Sequence, residues 1–192
     1  GNYTDTREVE FWINAATLTE ANTRITLANN KYEYTGSVLV PSRDVTVEYN
    51  KSKDPDKEEW ITLVQGAGND YIIEPAGSNT EAGTTASIRI VGQNNYSGSI
   101  TKTYTISPRD INSDKIDIYL EGEPFYYTGE EYRPTVSVRF SSIEDITLVQ
   151  NVDYTISYEA TSTVDKVGKI TVTGIGNFTG TKVIEYHIQP QD

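Results

Sequence analysis

The chain contains no cysteine and no methionine, and these absences already limit its chemistry. Without cysteine there are no disulfides, no thiol catalysis and no cysteine-ligated zinc. The single histidine, His187, needs partners before it can serve in catalysis or bind a metal. No apolar run approaches the ~18 residues that span a bilayer, so we expect no membrane insertion.

Positive charge is also scarce. The 16 Lys and Arg residues stand against 28 Asp and Glu residues, which gives a net charge of −12. Binding to nucleic acid or to an anionic membrane requires cationic side chains near the phosphates, so both kinds of partner are disfavoured. Such acidity is typical of a soluble, extended and self-repelling rod.

What the sequence does contain is a repeat. Residues 1–13 align without a gap with residues 176–188, and six of the positions are identical. A third copy of the pattern lies at 95–106. Because self-similarity at a fixed spacing marks a repeat array, we expect the chain to be part of a longer array. Residues 1–13 then resemble the last strand of a preceding repeat.

Aligning the copies in register divides the chain in two. Tyr-Thr-Gly at 34–36 recurs 93 residues later, and Leu-Val-Gln at 63–65 recurs 85 residues later. The first repeat therefore carries eight additional residues between these points, in a polar stretch that is typical of a loop. Pro108 and Pro190 each follow the last strand of a repeat and stiffen the junction. We predict a boundary near residue 109, with one domain at 1–109 and another at 110–192.

The secondary-structure signal is β throughout. Val136, Val138 and Phe140 alternate with polar residues, which predicts a half-buried strand. Short β-branched and aromatic runs, separated by Gly, Asn and Pro about every 8–12 residues, are typical of a sandwich or barrel. We predict an all-β chain of two antiparallel β-sandwiches with almost no helix. The seven strands expected in the second repeat lie near 116–120, 125–127, 134–140, 146–149, 154–158, 168–173 and 181–188.

The repeated pattern resembles a family of bacterial immunoglobulin-like repeats. The resemblance rests on Phe125–Gly129, Pro134, Asp153–Tyr158 and Gly176–Thr181, and it covers essentially the whole chain. It implies two tandem immunoglobulin-like domains of a secreted or surface-anchored protein, in which such repeats neighbour adhesion, carbohydrate-binding or hydrolase domains. The family has no catalytic residues to carry over, and no cofactor is expected. The first repeat departs from the pattern at 91–96.

Several conspicuous residues are explained by the repeat. His187 shares its position with Trp12 and Thr105, and strand alternation points it toward solvent. The three Asn-x-Thr/Ser sequons begin at the same repeat position, so we expect a turn with the aromatic ring packed beneath it. The matched tyrosines are expected to be core rings with their hydroxyls at the rim. The residues concerned are Asn2, Asn95 and Asn177 for the sequons, and Tyr34, Tyr127, Tyr104 and Tyr186 for the core rings.

Asp110, Asn112 and Asp114 have the alternating oxygen ligands that open a calcium-binding loop. The glycine that such a loop requires at its sixth position is missing, and the matching stretch of the first repeat lacks the carboxylates. An ordinary polar linker is therefore favoured, and calcium is the weaker alternative.

The stretch 50–59 is not explained by the repeat. It holds the eight additional residues and is flanked by Tyr49 and Trp60. The two aromatic rings at the base of a charged loop suggest a glycan site that combines ring stacking with polar hydrogen bonds. The alternative is a long hairpin clamped by a Tyr49–Trp60 cross-strand pair.

The leading functional hypothesis is a non-catalytic spacer that presents neighbouring domains of the same polypeptide at a bacterial surface or outside the cell. The alternative is a module that binds a glycan or a host surface protein through Tyr49 and Trp60. We expect no enzymatic activity, because the sequence shows no nucleophile–base pair, metal cluster or phosphate cradle. If residues 1–13 are ordered, we expect them to pair with an edge of the first repeat or with another molecule. The competing explanation is that each domain begins with this strand.

Overall fold

The computed structural model of the chain describes residues 7–54, 56–141 and 145–191. These residues form nineteen β-strands and one short 3-10 turn, Ser42–Asp44. The all-β prediction is confirmed, and the arrangement in several sheets is consistent with β-sandwich packing. No helix in the described part of the chain is long and apolar enough to cross a membrane.

Nine strands precede residue 108. They build a three-stranded sheet in the order β2-β4-β5, a four-stranded sheet in the order β3-β9-β7-β6, and a short parallel pair of β1 with β8. The strands are β1 (Ala16–Thr17), β2 (Thr23–Leu27), β3 (Lys31–Glu33), β4 (Val45–Asn50), β5 (Trp60–Thr62), β6 (Tyr71–Pro75), β7 (Thr85–Gly92), β8 (Tyr96–Ser97) and β9 (Ser99–Ser107).

Ten strands follow. They build two antiparallel three-stranded sheets, β11-β13-β14 and β15-β16-β18, and two short parallel pairs, β10 with β17 and β12 with β19. The strands are β10 (Arg109–Asp110), β11 (Ile116–Glu121), β12 (Phe125–Tyr126), β13 (Thr135–Ser141), β14 (Asp145–Thr147), β15 (Tyr154–Glu159), β16 (Gly168–Gly174), β17 (Phe178–Thr179), β18 (Thr181–Tyr186) and β19 (Ile188–Gln189).

The chain folds into two compact units. The smaller unit holds the described residues up to Ala28 together with Ser42–Glu74 and Ile88–Lys102. The larger unit holds Asn29–Pro41, Pro75–Ser87 and the described residues from Thr103 onward. Three segments that precede residue 109, at 29–41, 75–87 and 103–108, therefore group with the residues that follow it. The sequence boundary at 109 stays a prediction.

Each compact unit buries its own apolar side chains. Along β13 the residues Val136, Val138 and Phe140 are buried and alternate with exposed or half-buried neighbours, as the sequence predicts. Burial of such a side chain contributes about 1.5–3 kcal/mol to folding. In the larger unit the buried cluster also includes Ile111, Ile116, Phe125, Leu148, Tyr154, Ile170, Val172, Phe178, Tyr186 and Ile188. In the smaller unit the buried residues include Leu18, Ile25, Val47, Leu63, Tyr71, Ile88 and Ile90.

Individual hydrogen bonds recur at the spacings found in the sequence. The Asp70 carboxylate accepts a 2.8 Å bond from the backbone N–H of Val64, and the Asp153 carboxylate accepts a 2.8 Å bond from that of Val149. The hydroxyl of Tyr104 donates to the carbonyl of Leu39, and that of Tyr186 to the carbonyl of Tyr132. The predicted core positions of Tyr104 and Tyr186 are confirmed, since both are nearly inaccessible to solvent.

Residues 7–13 differ from the prediction. They form no strand within the chain, and Phe11 and Ile13 are 77% and 88% exposed. The two later copies of this sequence pattern form β9 and β18, which already occupy the corresponding positions in the sheets. Pairing of these residues with an edge of the first repeat, and a domain that begins with this strand, are both wrong for the described residues. Pairing with another molecule stays a prediction, and residues 1–6 lie outside the described part.

Candidate functional site

The insertion singled out by the sequence forms the tip of the β4–β5 hairpin. The antiparallel register places Tyr49 opposite Ile61 and Asn50 opposite Trp60. Asn50 closes the loop, because its side-chain oxygen accepts 3.0 Å hydrogen bonds from the backbone N–H groups of Ser52 and Glu59. The eight additional residues therefore extend a hairpin that has a well-defined base.

Tyr49 and Trp60 face opposite sides of this sheet. Directly opposed residues share a face, whereas successive residues alternate, so Tyr49 lies with Ile61 and Trp60 lies with Asn50. Tyr49 packs edge-on against Tyr96, with ring centroids 5.3 Å apart. The predicted Tyr49–Trp60 cross-strand pair is wrong, because the register is one residue away from the one it requires.

A groove runs along the Trp60 side of the hairpin. It encloses about 290 Å³ and is lined by amide, hydroxyl, carboxylate and ammonium groups beside the indole ring. An aromatic ring beside several polar groups offers a ligand an apolar surface together with groups that fix its orientation. Tyr49 does not line this groove. The lining residues that carry the chemistry are Asn22, Asn50, Ser52, Asp54, Glu58 and Trp60.

Trp60 is already held in place by its neighbours. Its indole N–H donates a 2.8 Å hydrogen bond to the Glu58 carboxylate. The Arg24 guanidinium lies 4.2 Å from the ring centroid in a cation–π contact, and it also reaches Glu48 at 3.7 Å. Arg24 therefore covers one face of the Trp60 ring, and a ligand that stacks on that face has to displace Arg24.

The predicted calcium candidate is arranged as a turn. The Asp110 carboxylate accepts hydrogen bonds of 2.9 and 3.0 Å from the backbone and side-chain amides of Asn112. These bonds hold the pKa of Asp110 below its ordinary value. The Asn112 side chain also donates to the carbonyl of Thr181 at 3.0 Å, and Asp114 contacts the Ser113 hydroxyl. No group of three metal-ligating side chains occurs among the described residues.

His187 lies between the end of β18 and the start of β19, and its side chain is exposed. Its predicted solvent-facing position is therefore confirmed. It lines an open groove of about 350 Å³ beside Glu185, Gln189 and the cis-proline Pro124.

The sequon positions prove to be different from one another. Asn177 is engaged by the chain itself: its oxygen accepts a 2.7 Å bond from the Ala82 N–H, and its nitrogen donates a 2.6 Å bond to Glu81. Phe178 is buried beneath this turn, as predicted. Asn95 is exposed. Asn2 lies outside the described residues.

The sequence did not reveal a cluster that surrounds Tyr34, here called the Tyr34 joint. It consists of Glu33, Tyr34, Glu81 and Ala82 together with Arg109, Phe140, Asn177 and Phe178, all within the larger compact unit. The Tyr34 ring stacks on Phe140 at 6.1 Å and meets Phe178 edge-on at 5.5 Å. Burial raises the pKa of the Tyr34 hydroxyl, and the nearby Glu81 and Asp153 charges add to the rise.

Arg109 fastens the same joint. It is only 8% exposed, and it pairs with the Glu33 carboxylate at 3.0 Å while its Nε donates to the Tyr34 carbonyl at 2.9 Å. Its guanidinium lies 5.3 Å from the ring centroid of Phe140. In the repeat alignment this position is alanine at 16 and glutamine at 191, and that difference is the signal that singles out Arg109.

Tyr127 corrects the prediction of a buried ring. It is 45% exposed, whereas its repeat counterpart Tyr34 is half-buried. The reason is physical: the Tyr34 ring is covered by Phe140 and Phe178, both supplied by the following repeat.

Comparison of the chain with protein-family models, with curated proteins and with solved structures found no match.

Proposed function

We propose that the chain is a non-catalytic structural spacer, made of two immunoglobulin-like β-sandwich repeats, in a bacterial surface or secreted protein. The observation that carries the proposal is the Tyr34 joint. It joins residues on both sides of the predicted boundary by ring stacking, an ion pair and amide hydrogen bonds. A spacer that presents neighbouring domains needs such a stiff connection, because loosely linked domains move independently by default.

Stiffness of the connection can be measured directly. We expect NMR relaxation of the wild-type chain to give one common rotational correlation time for residues 75–87 and 145–185, which belong to the larger compact unit and lie on either side of the predicted boundary. Tyr34→Ala combined with Arg109→Ala should separate the two correlation times, since it removes the stacked ring and the Glu33 ion pair. Tyr127→Ala is the matched control, because the same ring is exposed there. Independent tumbling of the wild-type repeats would contradict the spacer proposal.

A binding module is the second candidate, and the polar groove beside Trp60 favours it. In this alternative a glycan or a host surface protein occupies the groove and stacks on Trp60. Tyr49 then serves as a packing residue for Tyr96 and not as part of the site.

A glycan array and an affinity gel test this alternative. If the wild-type chain binds a polysaccharide, we expect Trp60→Ala to weaken binding by about tenfold or more, because the ligand can no longer stack on the indole ring. Trp12→Ala is the matched control, since the only other tryptophan of the sequence is 86% exposed and is not among the residues that line the groove. Equal binding by wild type and Trp60→Ala excludes the groove as the site.

A further inference from the structure

Four large apolar side chains are exposed in the second repeat close to β12 and to the loop before β16. Tyr126 and Tyr127 are 48% and 45% exposed, and Val164 and Val167 are 38% and 40% exposed. All four belong to the larger compact unit. The surface that includes Tyr127 and Val164 is called the tail surface below.

Backbone pairing makes Tyr127 the structural counterpart of Tyr34. The N–H of Tyr34 donates to the carbonyl of Ser107 at 2.9 Å, and the N–H of Tyr127 donates to the carbonyl of Gln189 at 2.8 Å. In both places this bond continues a two- or three-residue parallel pairing with the end of the last strand, β3 with β9 and β12 with β19.

Val164 is the counterpart of Ala82 by the same kind of evidence. The N–H of Leu39 donates to the carbonyl of Asn79, and the N–H of Tyr132 donates to that of Thr161. Ala82 and Val164 each follow three residues after these carbonyls. The tail surface therefore repeats the two positions that, in the Tyr34 joint, receive the ring of Phe178 and the side chain of Asn177.

We propose that the tail surface binds the Asn-aromatic turn of a further repeat of this type. This inference rests on the proposed spacer function, and it names the partner as an immunoglobulin-like repeat that carries Asn followed by Phe or Tyr. The incoming aromatic ring packs edge-on against Tyr127, as Phe178 packs against Tyr34. The incoming asparagine oxygen accepts a hydrogen bond from the N–H of Val164, as Asn177 does from Ala82.

The second connection differs from the first in its electrostatics. Glu33 and Arg109 form an ion pair in the Tyr34 joint. Their counterparts next to the tail surface are Tyr126 and Gln191, which carry no opposite charges. Docking on the tail surface is therefore weaker than the Tyr34 joint and less sensitive to salt.

Disulfide trapping tests the proposal cleanly, because the chain has no cysteine of its own. The chain is extended after Asp192 by a second copy of residues 111–192, since Asp192 and Asp110 are counterparts. Val164→Cys is combined with Asn177→Cys in the appended copy. We expect this pair to oxidise about tenfold faster than a pair in which Val183→Cys, on the exposed side of β18, replaces Val164→Cys.

Two further arms make every outcome informative. Tyr127→Ser should slow trapping toward the control rate, whereas Tyr127→Phe should leave it unchanged because the ring remains. The same reaction between two unextended chains, one with Val164→Cys and one with Asn95→Cys, does not depend on folding of the appended copy. Rates at the Val183→Cys level in both formats overturn the proposal.

The Ala82→Cys and Asn177→Cys pair within the unextended chain separates this inference from the spacer proposal. If that pair is trapped and the Val164 pairs are not, the tail surface is no docking site and the spacer proposal stands. If the Ala82 pair also fails to form, the Tyr34 joint itself is absent in solution, and both proposals fall.

Discussion

Asn177 connects two segments that are far apart in sequence. Its amide nitrogen donates a 2.6 Å hydrogen bond to the carboxylate of Glu81, and its oxygen accepts a 2.7 Å bond from the N–H of Ala82. A single side chain thus satisfies a carboxylate and a backbone donor in the Tyr34 joint. A hydrogen bond to a charged group is worth about 1.5–3 kcal/mol, so the pair is a measurable part of the stability of the joint.

We predict that Asn177→Ala lowers the free energy of unfolding by about 1–3 kcal/mol, because Glu81 and the N–H of Ala82 lose their partner. Urea unfolding followed by NMR signals of the larger compact unit measures the effect. Asn95→Ala is the matched control at the same repeat position. Asn95 is exposed, and its replacement should change stability by no more than about 0.5 kcal/mol. Equal costs for the two variants would contradict the role assigned to Asn177.

A comparison of Gly180 with Gly129 distinguishes two reasons why a position requires glycine: its backbone conformation and the lack of space for a side chain. Both have positive φ, 78° and 86°, so alanine costs about 1–2 kcal/mol at either position. A methyl group on Gly180 would also overlap the Asp110 carboxylate, whereas one on Gly129 meets no atom within 4 Å. We predict that Gly180→Ala is more destabilising than Gly129→Ala by about 1–3 kcal/mol in urea unfolding. If Gly180→Ala costs no more than Gly129→Ala, the Asp110 turn moves aside without loss of stability.

The sequence predicted the β-structure well, because a strand with one buried face alternates apolar and polar residues. Alternation along β13 identifies Val136, Val138 and Phe140 as buried, and the structure agrees. The pattern in residues 7–13 is equally strong, yet these residues form no strand in the chain. Alternation reports which face a strand would bury. It does not report whether a neighbouring strand is available to accept its hydrogen bonds.

The candidate site was predicted less well, for a reason of register. Sequence places Tyr49 and Trp60 symmetrically at the base of the insertion, but the hairpin pairs Trp60 with Asn50. A shift of one residue moves a side chain to the other face of a sheet. The Tyr34 joint was missed because Tyr34 and Tyr127 are the same residue in the same motif. Only the presence of Phe140 and Phe178 over one of them makes the two positions different.

Tyrosine burial predicts destabilisation at alkaline pH. Burial raises the pKa of Tyr104 to about 12, and it raises the pKa values of Tyr71 and Tyr154 as well. In the unfolded chain these hydroxyls ionise near pH ~10, so above that pH the unfolded state loses protons that the native state keeps. We predict constant stability from this source below about pH 9 and a progressive loss as the pH rises from about 10 toward 12. Urea unfolding at a series of pH values measures it.

Tyr104→Phe tests the assignment. The variant loses the hydroxyl bond to the carbonyl of Leu39, so it should be less stable at neutral pH by about 1 kcal/mol. Its stability should then fall less steeply above pH ~10 than that of wild type, because one raised pKa is gone. A slope equal to that of the wild type would assign the alkaline loss to the other tyrosines.

The two aspartates that cap a strand end should be equivalent in energy. Asp70 in the smaller compact unit and Asp153 in the larger each accept a 2.8 Å bond from a valine N–H. We predict that Asp70→Ala and Asp153→Ala each cost about 1–2 kcal/mol and that the double variant is additive. Asp165→Ala, at an exposed aspartate, is the control and should be nearly neutral. Strongly unequal costs would show that the two bonds differ in their surroundings.

Asn50 closes the base of the β4–β5 loop, because its side-chain oxygen accepts hydrogen bonds from the backbone N–H groups of Ser52 and Glu59. The buried residues of the smaller unit, such as Val47 and Leu63, lie outside that base. Mutations between Ser52 and Glu58 are therefore insulated from the packing that keeps the unit folded. Selection can exchange, lengthen or recharge this tip while the scaffold stays constant, so the hairpin is the place where new binding specificity can evolve at little cost to folding.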